Sequence, residues 1–161
     1  MKEKDDSIME YTQARYGRIF VIRLENGDVI HEEIEALAGR ENIRRGMLFI
    51  LGGAEKGSRI VSGPEDGDDI RQDMPVITQV FDAVHESAGV GTIFPDESGT
   101  PLLHLHMAFG RGDNAFIGCT RTGVITWRYM EAVLLEMTET SACRVPDPET
   151  GFYMLRPGST G

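Results

Sequence analysis

The sequence predicts an α+β domain in which about seven strands form a mainly antiparallel sheet packed with one main helix. Three observations lead to this fold class. Short alternating or continuous apolar runs recur along the chain, separated by turns rich in Gly, Asn, Asp and Pro. Only one segment repeats its apolar residues at helical spacing. A chain of 161 residues, 40% of them hydrophobic, suffices for one domain with a sizeable core.

The helix is predicted directly after the first strand. Residues 17–25 alternate between apolar and polar and favour that strand, which ends at the turn sequence Glu25-Asn26-Gly27-Asp28. Asp28 is a suitable cap for a helix of about a dozen residues. The helix is indicated by apolar residues that recur on one face: Ile30, Ile34, Leu37 and Ala38. His31 falls on the polar side of this helix, so we expect it to be solvated.

The remaining strands are predicted from shorter patterns. Residues 46–54 are a continuous apolar run typical of a buried strand, and its glycine-rich end lacks the Gly-Lys-Ser/Thr sequence of a phosphate loop. Residues 64–73 are acidic, and we expect them on the surface. Further β stretches are predicted within residues 58–62, 76–94, 101–123 and 131–155.

Charge and composition argue against several classes of function. The formal net charge is −10, from 16 Lys and Arg against 26 Asp and Glu, which makes nucleic-acid binding unexpected. No run of 18 apolar residues exists to span a membrane, and the acidic N-terminus lacks the apolar core of a signal peptide. Two cysteines do not form a disulfide framework. We therefore expect a cytoplasmic protein with reduced thiols.

The same patterns predict a single domain. We expect residues 1–15 to be a polar N-terminal segment, residues 16–156 to fold together, and residues 157–161 to be a short tail. No internal repeat, low-complexity stretch or obvious linker divides the chain.

The most specific chemical pattern is the pair His104 and His106. They stand two residues apart in an alternating apolar run, and strand side chains project to opposite faces with a period of two. Both imidazoles therefore leave one face of the strand, about 6–7 Å apart along it, while Leu105 faces the core. Two imidazoles in this arrangement are well placed to share a metal ion.

A third ligand follows from a predicted hairpin. A turn centred on Gly112-Asp113 places Cys119 opposite His106 and on the same face, and Arg121 opposite His104. Two nitrogens and one sulfur suit Zn²⁺ or another divalent transition metal. Two alternatives stay open. A one-residue slip in register moves Cys119 to the other face, and a histidine pair is also typical of partly buried residues hydrogen-bonded to their neighbours.

His85 and Glu86 are weaker candidates for the metal site. His85 lies too far along the neighbouring strand to join the pair without a bulge or a second subunit. Glu86 is an alternative fourth ligand, and Glu86 or Glu131 is the general base if the site is that of an enzyme. No Ser-His-Asp pattern or nucleotide-binding fingerprint gives catalysis independent support.

The order of these features resembles the plants and prokaryotes conserved (PPC) domain over residues 17–155. The landmarks that carry the resemblance are Leu24-x-x-Gly27-Asp28, Leu51-Gly52-Gly53-Ala54, Phe81-Asp82 before Gly89, Pro101-x-x-His104-x-His106, Gly118, Glu131-Ala132-Val133 and Arg144-x-x-Asp147-x-x-Thr150-Gly151. The resemblance implies an antiparallel sheet packed with helix, assembly as a homotrimer and, in some relatives, a metal held on histidines. It also implies self-association in plant relatives, and stand-alone prokaryotic relatives are often labelled DNA-binding proteins.

Two departures from the family pattern bear on function. The AT-hook core Arg-Gly-Arg-Pro of nuclear relatives is absent, so DNA binding is not carried over. Many relatives have Gly-Gly-His where this chain has Gly118-Cys119-Thr120, so Thr120 replaces a histidine and Cys119 is the substitute that the hairpin offers.

Three functions are consistent with the sequence. The one that we favour is a trimeric module that binds a metal or a small-molecule ligand at His104 and His106. The second is a DNA-associated regulatory protein. The third is a metal-dependent enzyme of unknown substrate.

Overall fold

A computed structural model describes residues 9–67 and 73–158 of the protein. The described elements follow the order β1 (Arg15–Glu25), α1 (Ile30–Arg40), β2 (Gly46–Ala54), β3 (Arg59–Pro64), β4 (Val76–Val80), β5 (His85–Pro95), β6 (Pro101–Arg111), β7 (Asn114–Cys119), β8 (Thr126–Thr138), β9 (Cys143–Pro146) and β10 (Tyr153–Arg156). The first eight strands form one antiparallel sheet with the order β1-β8-β2-β5-β6-β7-β3-β4. A second sheet consists of β9 and β10 alone.

The predicted α+β class with an antiparallel sheet and one main helix is confirmed. The main sheet has eight strands rather than about seven, and β9 and β10 add a hairpin. The additional strands are short, since β4 has five residues and β9 and β10 have four each. A period of two is difficult to recognise in so few residues, so these strands leave a weak signal in the sequence.

The helix covers one face of the sheet and leaves the other open. On β6 the odd-numbered residues Leu103, Leu105, Met107 and Phe109 are buried, and they join α1 residues Ile30, Ile34 and Ala38 in one core. The opposite face carries apolar side chains that remain exposed: Ile19, Val21, Phe49, Leu51, Val90 and Val133. The fold therefore has an apolar surface that none of the described residues covers.

The start of α1 differs from the prediction. Asp28 does not cap the helix, because Val29 occupies the cap position and makes no side-chain hydrogen bond there. The Asp28 carboxylate instead accepts the backbone N–H of Glu25 at 2.7 Å and closes the preceding turn. The first turn of α1 still carries the acidic residues Glu32 and Glu33, which favour the positive end of the helix dipole.

His31 is buried, which corrects the expectation that it is solvated. Its side of α1 meets the end of β7, and only 8% of the residue is exposed. Its Nδ1 lies 3.5 Å from the Thr120 hydroxyl, and its buried Nε2 has no partner among the described residues. Burial of the ring, followed by the positive charge of Arg121, lowers the pKa of His31 to about 4. The imidazole is therefore neutral in the folded protein near pH 7.

The hairpin of β6 and β7 pairs in the predicted register. His106 lies opposite Cys119 and Met107 opposite Gly118, and the ladder ends there. A side chain at Gly118 would come within 2.7 Å of the Val61 carbonyl oxygen, so glycine is what allows β3 to pair beside β7 at this point.

Beyond the end of the β6–β7 ladder, side chains cover the free edge of β6 at Leu103. Glu35 accepts the Leu103 N–H at 2.8 Å and Arg121 donates to the Leu103 carbonyl at 2.7 Å.

Three predictions fall partly outside the described residues: the polar segment 1–15, the acidic segment 64–73 and the tail 157–161. The division that assigns residues 16–156 to one domain stays a prediction. Within the described ranges, no helix has the length and apolarity needed to cross a membrane.

His31 makes stability depend on pH in a testable way. Below pH 6.5 the unfolded chain takes up a proton on His31 that the folded protein binds only near pH 4, so the free energy of unfolding falls as pH falls. One such proton is worth about 1.4 kcal/mol per pH unit. We expect His31→Leu to reduce the dependence of the unfolding free energy on pH between pH 6.5 and 5 by the contribution of about one proton. Chemical denaturation followed by circular dichroism measures it.

Measurements at pH 7.5 provide the reference for this comparison. There the imidazole is neutral in both states, so the wild type and the variant should differ only by a constant offset. Parallel slopes for the two proteins between pH 6.5 and 5 would contradict the assignment of the titration to His31.

Candidate metal site on the exposed sheet face

His104 and His106 project from the exposed face of β6, as their spacing predicts. Their odd-numbered neighbours pack toward α1, so strand alternation leaves both imidazoles on the opposite side. Both histidine residues are exposed. The strand is an interior member of the sheet, paired with β5 on one side and with β7 on the other. The backbone under His106 is therefore held in place from both sides, whereas His104 is paired with β5 only, because the β6–β7 ladder ends at His106.

The two imidazoles are in direct contact. Their Nε2 atoms lie 3.1 Å apart, and the ring centroids are 5.0 Å apart with planes inclined by 74°. This distance fits an N–H···N hydrogen bond between two neutral rings. It also fits two ligands of one ion, because bonds of about 2.1 Å to nitrogens 3.1 Å apart enclose an angle of about 95°.

Cys119 lies directly opposite His106 in the β6–β7 ladder and is partly exposed. The alternative register, which would have moved the thiol to the other face, is thereby excluded. The three side chains nevertheless do not converge. Among the described residues, no group of three His, Cys, Asp or Glu is arranged to hold a metal ion. One chain brings two nitrogens together, and ligation by Cys119 stays a prediction.

His85 lies on the core face of the sheet. It is buried, its ring stands 4.6 Å from that of Phe81 and 5.3 Å from that of Phe116, and its Nδ1 lies 2.9 Å from the Ala83 carbonyl oxygen. The residue opposite His106 on β5 is Val90, five positions from His85 and thus about 17 Å away along the strand. Within one chain, His85 and the histidine pair are not brought together.

Glu86 and Glu131 lie on the exposed face but away from the pair. Glu86 is opposite Gly110, four residues from His106, which is about 13 Å along the strand. The two carboxylates instead line a separate pocket of about 270 Å³ together with Trp127 and Arg128. A single chain therefore does not place either glutamate where it can act as a base beside His104 and His106.

Two arginines lie close to His104. Arg144, on β9, donates from Nη2 to the hydroxyl of Thr92 at 3.0 Å, and Thr92 is the residue opposite His104 on β5. Partial desolvation of the ring, followed by the positive charge of Arg144, lowers the pKa of His104 to about 4. Arg121 acts in the same direction. His104 is therefore unprotonated near neutral pH, the form that ligates metals.

The role of these arginines is not predicted by the sequence. Arg121 was expected opposite His104, but β7 ends at Cys119 and a turn takes Arg121 to the edge of β6. In the sequence, Arg144 stands out only as a landmark of the family resemblance. A single arginine in a four-residue strand has no periodicity that indicates where its side chain lies.

An apolar groove of about 710 Å³ runs across the exposed face beside the histidines. Its lining comes from four neighbouring strands and includes Val21, Phe49, Leu51, Val90 and Val133. Val90 lies opposite His106. The groove and the histidine pair thus belong to one continuous surface.

Solved structures with the same fold come from archaea and bacteria. A metal-containing protein from Archaeoglobus fulgidus aligns with a TM-score of 0.76 and 17% identity, covering 91% of this chain and 98% of its own. A plant- and prokaryote-conserved protein from Pyrococcus horikoshii gives 0.74 and 18%, covering 91% and 97%. A "putative DNA-binding protein" from Bacteroides thetaiotaomicron gives 0.68 and 19%, covering 89% and 97%. At these identities the likeness is one of fold.

A curated relative is the bifunctional protein GlmU of Synechococcus sp. (strain JA-2-3B'a(2-13)). It is 26% identical over 138 residues, which is 86% of this chain. The chain spans about a fifth of the length of that protein, 20%. The match therefore concerns one portion of a much longer protein.

The family assignment rests on a sequence match to most of the chain. The Plants and Prokaryotes Conserved (PCC) domain matches residues 11–138, from just before β1 to the end of β8. The structural relatives have the same sheet and helix, and one of them carries the family's name. The protein accordingly belongs to the Plants and Prokaryotes Conserved domain family, also abbreviated PPC.

Proposed function

We propose that the protein is a homotrimeric module that binds a divalent transition metal, zinc or a similar ion, at His104 and His106. The observation that carries the proposal is the 3.1 Å separation of the two Nε2 atoms on an exposed sheet face. Two nitrogens at this distance are compatible with one ion. The structural relative from Archaeoglobus fulgidus is described as metal-containing, which supports the proposal without identifying its ligands.

Two nitrogens alone make an incomplete site. Zinc in proteins has three or four protein ligands, with sulfur and nitrogen preferred. Cys119 is the third ligand that we propose, since it stands opposite His106 and its thiolate is a soft donor. The remaining position would be filled by water or by a neighbouring subunit. The proposal thus includes a site that is completed at the exposed surface.

The exposed apolar face supports assembly with further copies of the chain. Val21, on the edge strand β1, is 87% exposed, and Leu51, on the interior strand β2, is 55% exposed. Monomeric soluble proteins rarely leave a continuous apolar patch of this kind uncovered. Three copies are proposed because the family resemblance implies a homotrimer.

Removal of either histidine tests the metal site. We expect purified protein to hold about one zinc per chain after gel filtration. We expect His104→Ala and His106→Ala to lose it, because a missing ligand lowers affinity by orders of magnitude whereas an outer-shell change costs only about 10–100-fold. Elemental analysis by mass spectrometry gives the metal content.

His31→Leu is the matched control, because it removes a histidine that packs on the opposite side of the sheet. Cys119→Ser tests the third ligand, and unchanged metal content in that variant would exclude the thiolate. Wild-type protein that stays metal-free after growth with added zinc, cobalt and nickel would contradict the proposal as a whole. The histidines would then be a hydrogen-bonded pair.

Trimerisation is tested by light scattering at micromolar concentration. We expect a molar mass about three times that of one chain. Val21→Asp should reduce it, because burying a carboxylate in an apolar interface costs several kcal/mol. Ile77→Asp on the edge strand β4 is the control, since Ile77 is also exposed but lies at the other end of the sheet. A wild-type monomer would refute the assembly.

DNA association is the alternative that one structural relative's description suggests. The net charge of −10 argues against it, because affinity for DNA rests mainly on neutralising phosphates with clustered Lys and Arg. We expect no sub-micromolar binding to an AT-rich duplex at moderate salt in gel-shift titrations. Tight binding whose affinity decreases steeply with salt would instead establish the regulatory alternative.

A further inference from the structure

Arg144 is a buried cation without a charged partner in the described part of the chain. Only 6% of the residue is exposed. Its guanidinium donates to the Thr92 hydroxyl at 3.0 Å and, at the longer distance of 3.5 Å, to the Tyr153 carbonyl, while its buried Nε has no partner among the described residues. No described carboxylate lies within ion-pairing distance. Neutral oxygens therefore meet only part of its hydrogen-bonding capacity.

A second arginine, the exposed Arg121, lies nearby at the edge of β6. The Arg121 guanidinium donates to the Leu103 carbonyl at 2.7 Å, one residue from His104. It too has no carboxylate within ion-pairing distance in the described part of the chain. It lies close enough to Arg144 that its charge contributes to lowering the pKa of that guanidinium, after burial. The two cations thus approach His104 from the β5 side and from the free edge.

The lack of a counter-charge matters most at Arg144, because this residue is buried. The chain has 26 acidic residues against 16 basic ones, and exposed arginines elsewhere, such as Arg18 and Arg23, do pair with glutamates. A buried charge without an opposite charge costs several kcal/mol. Arg121 is exposed and does not bear this cost of burial, but its positive charge repels that of Arg144. An anion between them would remove both costs.

We propose that Arg121 and Arg144 bind a small anion through a carboxylate or phosphate group, beside His104 on the exposed sheet face. A guanidinium presents a planar fork of N–H donors that matches either group. The site does not depend on the metal, because it consists of two arginines that are absent from the proposed ligand set. It also lies partly beyond the family match at residues 11–138, since Arg144 is on β9.

A purely structural role for Arg144 is the competing explanation. Its guanidinium connects the β9–β10 hairpin to the sheet through Thr92 and stands 5.8 Å above the Phe94 ring. A structural clip would need neither Arg121 nor an anion. Variants at Arg121 and conservative replacement of Arg144 therefore separate the two explanations.

The test is isothermal titration of the full chain after removal of metal by EDTA and dialysis. Inorganic phosphate and succinate are titrated separately, so that the two arms distinguish a phosphate from a carboxylate ligand. We expect saturable binding of at least one of them. We expect Arg121→Met and Arg144→Lys each to weaken it at least tenfold, because each loses a bidentate donor. Circular dichroism establishes that each variant is folded, and Arg121→Met suffices if Arg144→Lys is not.

Arg111→Met is the matched control. Arg111 lies at the end of β6, the strand that carries His104, and like Arg121 it donates to a backbone carbonyl, that of Val84, at 2.9 Å. The Arg111→Met variant loses one positive charge from the same sheet, so its affinity for phosphate or succinate should stay within twofold of that of the wild type. Equal weakening in this variant would show a nonspecific charge effect and overturn the proposal. No saturable binding by wild-type protein, or binding only after zinc is added, would overturn it as well.

Discussion

The packing of α1 against β6 decides which side chains the rest of the sheet exposes. Leu103, Leu105 and Met107 are fully buried against the helix, and strand alternation then places every even-numbered residue of β6 on the other face. Because paired residues on neighbouring strands project to the same face, the side chains of the adjacent strands follow the same division into a core face and an exposed face. The histidine pair and the apolar groove thus lie on the same exposed face because α1 packs against the other one.

This one-sided burial also gives the exposed face its chemical character. Partial desolvation and the positive charge of Arg144 lower the pKa of His104, and the neutral imidazole is suited to ligation or to hydrogen bonding. The hairpin of β9 and β10 then brings Arg144 to the same surface. Positive charge, polarizable sulfur and neutral nitrogen therefore lie beside an uncovered apolar groove, in a protein whose net charge is strongly negative.

The sequence predicts the features that depend on residues close together in the chain, and it does not predict those that depend on tertiary contacts. The placement of His104, His106 and Cys119 followed from alternation and a short turn, both of which involve residues close together in the chain. The burial of His31 is not predicted, because helical periodicity distinguishes the two faces of α1 but does not show that the end of β7 packs against the polar face. Arg144 and Arg121 reach His104 through a separate hairpin and a chain turn, and no local pattern contains such tertiary contacts.

The covered edge of β6 has a consequence for how copies of this chain meet. A strand edge with free N–H and C=O groups can add a strand from another molecule and so begin aggregation. Here Glu35 occupies the Leu103 N–H and Arg121 the Leu103 carbonyl, so the edge that β7 leaves uncovered has no free groups at that residue. Another molecule therefore cannot add a strand by hydrogen bonding to Leu103. Contact between molecules is left to the side chains on the exposed face of the sheet.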